Sequence, residues 1–223
     1  MFQLGITWVL FNVVAATVDV RREDQGLTEV PSDIPIDTER LFLASNAISH
    51  VSSDDFLSLG KLFYIDLGFN DLTVFPNFSS VALTLTELSF YRNNISSVPA
   101  AHLNIITKLT RLDLSYNQIT SLPNVGGIWQ PQATGNLQHL FFRENDLTTV
   151  PVLYDYNDAI DVGADGNSIV CDQRVAWLLR ASLTPGSTCS APEAVAGMQL
   201  NQMDHTDLIS NTGELFVQTL ELM

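Results

Sequence analysis

Apolar and polar positions alternate in short bursts along this chain, and the bursts recur. In LTRLDLSYNQI, Leu109 to Ile119, leucines hold the first, fourth and sixth places, Asn117 the ninth and Ile119 the eleventh. The same template fits LFYIDLGFNDL (Leu62 to Leu72), LTELSFYRNNI (Leu85 to Ile95) and LQHLFFRENDL (Leu137 to Leu147). TERLFLASNAI, Thr38 to Ile48, opens on a threonine, and AIDVGADGNSI, Ala159 to Ile169, is a weaker sixth copy. The ninth-place asparagines are Asn46, Asn70, Asn93, Asn117, Asn145 and Asn167, spaced 22 to 28 residues apart. Each copy predicts a short strand whose alternate apolar side chains point inward. The asparagine ends the strand where the chain must turn, and its amide can bond backbone groups of neighbouring turns. One copy cannot cover its own apolar face, so the copies must stack and bury a continuous core.

Between the strands, second apolar sets bring the chain back along the opposite, convex side: Val51, Phe56 and Leu59, then Val98 and Leu103, then Leu122. Several have a proline close by, as in Phe75-Pro76, Val98-Pro99, Leu122-Pro123 and Val150-Pro151. The segment Val125 to Gly135, VGGIWQPQATG, lengthens one copy by about four residues. It predicts an irregular excursion that leaves Trp129 either exposed or folded over the core.

Composition narrows the function. The 223 residues suit one domain, with 46% hydrophobic residues to build its core. There are 25 acids against 10 bases, a net charge of −15, and a pI near 4.3. Such a surface repels phosphate backbones and anionic lipids, which argues against nucleic-acid and membrane-surface partners. From Phe2 to Ala16 the chain carries no charge and fits the apolar part of a signal peptide, although no Lys or Arg precedes Arg21. The expectation is therefore a secreted chain with a leader over residues 1–16, and no later stretch is apolar enough to insert in a bilayer. In an exported protein the two cysteines, Cys171 and Cys189, read as one disulfide, worth about 3 kcal/mol in the chain-entropy model. In a chain that is not exported they read as two buried thiols. Two glycosylation triplets begin at Asn77 and Asn94.

The repeats resemble the extracellular leucine-rich-repeat family, and the resemblance runs from about Gly26 to Leu208. GLTEVPSDIPIDTERLFL looks like that family's N-terminal cap entering a first repeat. NSIVCDQRVAWLLR, followed by Cys189 and Pro192, looks like its C-terminal cap. The resemblance implies an α/β solenoid: a horseshoe of about six repeats with a concave parallel β-sheet and a helical C-terminal cap. It implies a division into an N-terminal cap over 17–37, repeats over 38–169, a C-terminal cap over 170–210 and a tail over 211–223. Val175, Trp177, Leu178 and Leu179 would plug the open end. The sequence departs from the pattern where the N-terminal cap should carry cysteines: Val20 stands in the place of one. Gln173 replaces an expected C-terminal cysteine, and none follows Leu208. Losing both members of one bridge while keeping Cys171 and Cys189 supports a single disulfide. It also leaves residues 17 to 30 without a staple, either mobile or paired with something else.

In such a horseshoe the non-core strand positions face the concave surface. They are Arg40 and Phe42, Tyr64 and Asp66, Glu87 and Ser89, Arg111 and Asp113, His139 and Phe141, and Asp161 and Gly163. Just beyond lie Phe69, Tyr91, Arg92, Tyr116, Arg143 and Glu144, with Phe63 at the near edge. Exposed aromatic and arginine side chains are enriched at protein-binding hot spots, and four of the eight arginines fall on this face. Cross-strand packing of the same residues is the alternative. The acids Asp155, Asp158, Asp161 and Asp165 cluster, and Asp161 to Asp172 resembles a calcium loop only weakly, since it lacks the third-place acid and the flanking helices. His50, His102, His139 and His205 are scattered, no nucleophile–base constellation is present, and no cofactor motif occurs. The expected function is recognition of a protein ligand or receptor through the concave face, without catalysis. An acidic matrix component and the ectodomain of a longer receptor are the alternatives, and the sequence does not fix the oligomeric state.

Overall fold

The computed structural model describes residues 17–123, 137–150, 160–204 and 207–208. The expected leader over 1–16, the insertion with Trp129, the acids Asp155 and Asp158, and the tail from 211 lie outside them.

Eight short strands form one parallel sheet in strict chain order. They are β1 (Asp19–Arg21), β2 (Arg40–Phe42), β3 (Tyr64–Asp66), β4 (Glu87–Ser89), β5 (Arg111–Asp113), β6 (His139–Phe141), β7 (Asp161–Gly163) and β8 (Ser182–Leu183). Strands β2 to β7 are the six repeat copies; β1 and β8 extend the sheet at either end. The middle residue of each central strand is sealed from solvent: Leu41, Ile65, Leu88, Leu112, Leu140 and Val162 are at most 1% exposed. The fold is thus the leucine-rich-repeat horseshoe expected from the repeats.

The ladder asparagines hold successive turns together by one repeated geometry. Each donates from Nδ2 to the carbonyl three residues back and to the matching carbonyl of the preceding turn. Asn93, for example, bonds Phe90 O at 3.1 Å and Leu67 O at 2.9 Å, while its Oδ1 accepts from Leu72 N at 3.0 Å. Asn70, Asn117, Asn145 and Asn167 repeat this pattern. No ordinary side chain other than an amide offers two donors and an acceptor in this space. The convex return is packed by Phe56, Phe75, Phe78 and Phe90, all fully buried with ring centroids 5.0 to 6.0 Å apart.

The N-terminal edge has its own strand. Residues 17 to 30 are anchored by β1, which pairs in parallel with β2, and Val20 is buried in the core where a cysteine was expected. Gln25 takes the ladder position of this leading turn, four residues past the strand as Asn46 is past β2. Its N–H and that of Leu27 are both accepted by Asn46 Oδ1 at 3.0 Å.

The C-terminal cap departs in form from the expected helix. Gln173–Arg180 is a run of 3₁₀ turns, started by the Asp172 carboxylate accepting from Arg174 N at 2.9 Å. Val175 and Leu178 are buried in the plug and Leu179 packs partly against it; the side chain of Trp177 lies outside the described residues. Cys171 and Cys189 form the disulfide, with both residues nearly sealed from solvent.

Candidate protein-binding face

Strand register sorts the concave side chains into rows. One row runs Asp19, Arg40, Tyr64, Glu87, Arg111, His139, Asp161. A second runs Arg21, Phe42, Asp66, Ser89, Asp113, Phe141, Gly163. Parallel pairing without a register shift puts matching repeat positions beside one another, so each row is a line of contacting neighbours.

At the N-terminal end the row is closed by its own contacts. The guanidinium of Arg21 lies 3.8 Å from the centroid of the Phe42 ring, and that of Arg40 lies 4.9 Å from it. Tyr64 packs against the same ring at 5.0 Å, and Arg40 pairs with Asp19 at 3.5 Å. Phe42, expected as an exposed contact, is therefore only 7% exposed. Arg21, Arg40 and Tyr64 cover the ring together, and Arg21 arrives on a strand that the repeat template does not contain.

Two of the acids hold turns. Asp66 Oδ1 accepts from Gly68 N and Asp113 Oδ1 from Ser115 N, each at 2.9 Å, in the turn that follows the strand. Burial pushes the Asp66 carboxyl above the usual carboxylate range, against the lowering effect of hydrogen bonds from Gly68 N and the Ser89 hydroxyl. Burial likewise raises the Tyr64 phenol, with the Asp66 carboxylate adding to the shift.

Toward the C-terminal end arginines and aromatics interleave. Arg111 lies 4.9 Å and Arg143 5.4 Å from the Phe141 ring, and His139 is 6.2 Å from it. His139 Nδ1 is 3.0 Å from Asp161 Oδ2. Arg143 Nε lies 3.2 Å from Asp165 Oδ1 but off the hydrogen-bond axis, so this contact is a charge pairing without a formed bond. Gly163 makes the arrangement possible: a Cβ there would stand 2.5 Å from Arg143 Nε and 2.9 Å from Phe141 Cδ1.

A rim bounds this face where the strands end. The residue before each ladder asparagine turns left-handed: Ser45, Phe69, Arg92, Tyr116 and Glu144 have φ between 49° and 58°, and Gly166 has φ 72°. Glycine adopts this conformation freely, whereas a bulky side chain there costs about 1–2 kcal/mol. Phe69 and Tyr116 are nevertheless 49% and 39% exposed. Tyr91 bridges them, with centroids 5.4 Å from Phe69 and 5.0 Å from Tyr116. Arg92 lies over all three rings, nearest to Tyr116 at 4.9 Å. A shallow open groove runs along this rim, lined among others by Phe69, Asp71, Arg92, Asn94, Tyr116 and Gln118.

The expected contacts Tyr64, Glu87, Tyr91, Arg92, Arg111, Tyr116, His139, Phe141 and Arg143 therefore share one surface, with Asp66 and Asp113 bound into its turns and Phe42 beneath it. Arg92 and Arg111 have no carboxylate within ion-pair distance among the described residues, unlike Arg21, Arg40 and Arg143. Asp19 and Arg21 were not foreseen on this face. Their signal was the alternation Asp19-Val20-Arg21 followed by Gln25 at the ladder offset. The weak calcium loop is not assembled: Asp161, Asp165 and Asp172 face His139, Arg143 and Arg174. Among the described residues no cluster of three or more His, Cys, Asp or Glu is arranged to hold a metal ion.

Comparison with known proteins agrees with this geometry. A family model for leucine-rich repeats (2 copies) matches residues 83–126. A chain of the octameric complex of latrophilin 3, Unc5D and FLRT2, in which FLRT2 supplies the leucine-rich repeats, superposes with a TM-score of 0.63 at 26% identity. That match covers 82% of this chain and 58% of the other, so this chain corresponds to little more than half of its neighbour's length. A chain of the Drosophila Toll–Spatzle complex, in its glycosylated form, superposes at 0.59 with 22% identity, covering 86% of this chain and 29% of the other. No curated protein matches the sequence. The class is that of the parallel-sheet repeat solenoids. Within it, the chain has the leucine-rich-repeat fold, with the repeat model matched over residues 83–126, and the two neighbours named come from protein–protein complexes. No helix among the described residues is long and apolar enough to cross a membrane.

Proposed function

We propose that this protein is an extracellular recognition module that binds another protein across its concave face and performs no chemistry there. The observation that carries the reading is the pair Arg92 and Arg111. In a protein of net charge −15, these two guanidiniums rest on aromatic rings without a carboxylate partner among the described residues. A guanidinium placed over aromatic rings, with Arg92 Nε alone bonded, to the Tyr91 hydroxyl at 3.4 Å, presents its terminal N–H groups to an incoming carboxylate or carbonyl. The aromatics beside it supply large contact area with few rotors to freeze. Both neighbouring structures are complexes between proteins, which is consistent with this use of the fold. The Cys171–Cys189 bridge fits an oxidising compartment and so an exported chain.

The test is binding of the secreted chain to an array of purified cell-surface and secreted ectodomains. A saturable partner should lose about tenfold or more in affinity with the double variant Tyr91→Ala, Arg111→Ala, whose melting curve should stay close to the parent's. If parent and variant hold the same partners with equal affinity, the concave-face reading is wrong.

A further inference from the structure

Two adjacent asparagines in the fourth strand's repeat have opposite environments. Asn93 is buried, with its amide consumed by the ladder. Asn94 is exposed and lines the rim groove. Its Oδ1 receives one long contact, 3.4 Å from Gln118 Nε2, and its Nδ2 donates no hydrogen bond among the described residues. In the triplet Asn94-Ile95-Ser96 only the middle residue is buried, so acceptor and hydroxyl both face solvent. The other triplet is less open. Asn77 is half-buried between buried Pro76 and Phe78, and its Oδ1 is tied to Ser79 N at 2.9 Å.

Repeat stacking places an aromatic residue on each side of Asn94's own turn. Phe69 precedes it by one repeat and Tyr116 follows by one, both left-handed, both exposed, both lining the same groove. Exposed rings at conformationally costly positions need a function, and the apolar C–H face of a pyranose packs well on an aromatic face. Asp71 and Gln118 line the same groove with hydrogen-bonding groups suited to hydroxyls.

We propose that Asn94 carries an N-linked glycan whose first sugars lie in this groove against Phe69 and Tyr116. The glycan then bounds the binding face at the rim and leaves the Arg92 guanidinium and the inner strand rows around Arg111 and Phe141 for the protein partner. The inference rests on the extracellular part of the reading above. In the modification, Asn94 Nδ2 bonds to the anomeric carbon of a lipid-diphosphate-linked oligosaccharide. The bond from that carbon to the diphosphate oxygen breaks, the lipid diphosphate leaves with its electron pair, and the amide proton passes to a base of the transferase.

The experiment expresses the full chain in cultured animal cells and needs no partner. Peptide mapping of the secreted protein should find a glycan on Asn94, absent in Ser96→Ala, which keeps Asn94 and changes only an exposed hydroxyl. Hydroxyl-radical footprinting should then show Phe69 and Tyr116 several-fold less reactive in the glycosylated protein than in Ser96→Ala, with Phe141 unchanged as the internal reference. Enzymatic release of the glycan from the folded parent should restore their reactivity. A secreted chain unmodified at Asn94 overturns this proposal alone, as does an occupied Asn94 with equal rim reactivity. A chain retained in the cytosol overturns the extracellular reading as well.

Discussion

At the C-terminal end of the solenoid, Cys171 and Cys189 tie the last repeat to its cap, and Val175, Leu178 and Leu200 pack beneath them. At the N-terminal end, β1 closes the sheet with three residues, one buried valine and a ring of surface ion pairs. Between them, each interior turn is fastened on both sides by buried asparagines. In a solenoid every turn contacts only its neighbours, so stability is a chain of local interfaces and the weakest end opens first. The two ends differ in kind: one is held by a covalent loop and a packed plug, the other by one three-residue strand pairing, the buried Val20 and Val30, and surface ion pairs that contribute little. The N-terminal turn should therefore be the first to exchange its amides.

The largest expected effect separates interior from end. Replacing Asn117 by Ala strands Ile95 N in the core and takes one of two amide partners from Phe90 O and Leu114 O, which keep Asn93 and Asn145, and should cost about 3 kcal/mol in urea denaturation. Asn46→Ala removes the same kind of bonds at a half-exposed site, where water replaces them, and should cost about 1 kcal/mol. Equal losses would mean that the first turn is as firmly built as the middle ones.

Next comes the covalent end. The double variant Cys171→Ala, Cys189→Ala should lose about 3 kcal/mol for a loop of this length. Hydrogen exchange would show where: amides of β7 and β8 should become as labile as those of β1. Unchanged protection at the C-terminal end would show that the packed plug, not the bridge, sets its stability.

What the sequence revealed follows the same division. The interior strands and the ladder were legible because period-two leucines and a single asparagine per copy are demanded by burial at every turn. The register then placed Tyr64, Arg111 and His139 in one row without further information. The N-terminal strand was only faintly legible, because Asp19-Val20-Arg21 is a single alternation without the leucines of the template and Gln25 stands where the ladder uses asparagine. Phe42's burial depended in part on that strand. The turn-holding bonds of Asp66 and Asp113 were hidden for another reason: they depend on where the backbone N–H two residues on points. The cap's 3₁₀ form was equally invisible, since an eight-residue apolar and polar alternation there fits either kind of helix.

At the N-terminal end, Arg22→Gln breaks the 3.7 Å contact with Asp33, and both side chains are substantially exposed. The expected loss is about 0.5 kcal/mol or less, falling further as salt is raised. Exchange of the β1 amides is the sensitive measurement. A salt-independent loss above that would show that Arg22 acts by packing its stem, and the contrast between a charged and a packed end would have to be redrawn.

The smallest effect belongs to Asp66, two strands in from the same end, and its sign is opposite to that of a stabilising ion pair. Burial raises its carboxyl in the folded protein, so folding favours the protonated form. The stability it contributes is complete below the ordinary carboxylate value and is lost as pH rises through the raised one. At neutral pH the ionised carboxylate therefore destabilises the fold. Asp66→Asn keeps an Oδ1 to accept from Gly68 N and carries no charge, so it should be slightly more stable than the parent at pH 7. The difference should shrink as the pH is lowered through that window and vanish below it. Urea titrations of both proteins across the carboxylate range measure it directly. A variant less stable at pH 7 would mean that the hydrogen bonds the carboxylate accepts from Gly68 N and the Ser89 hydroxyl outweigh the effect of its burial.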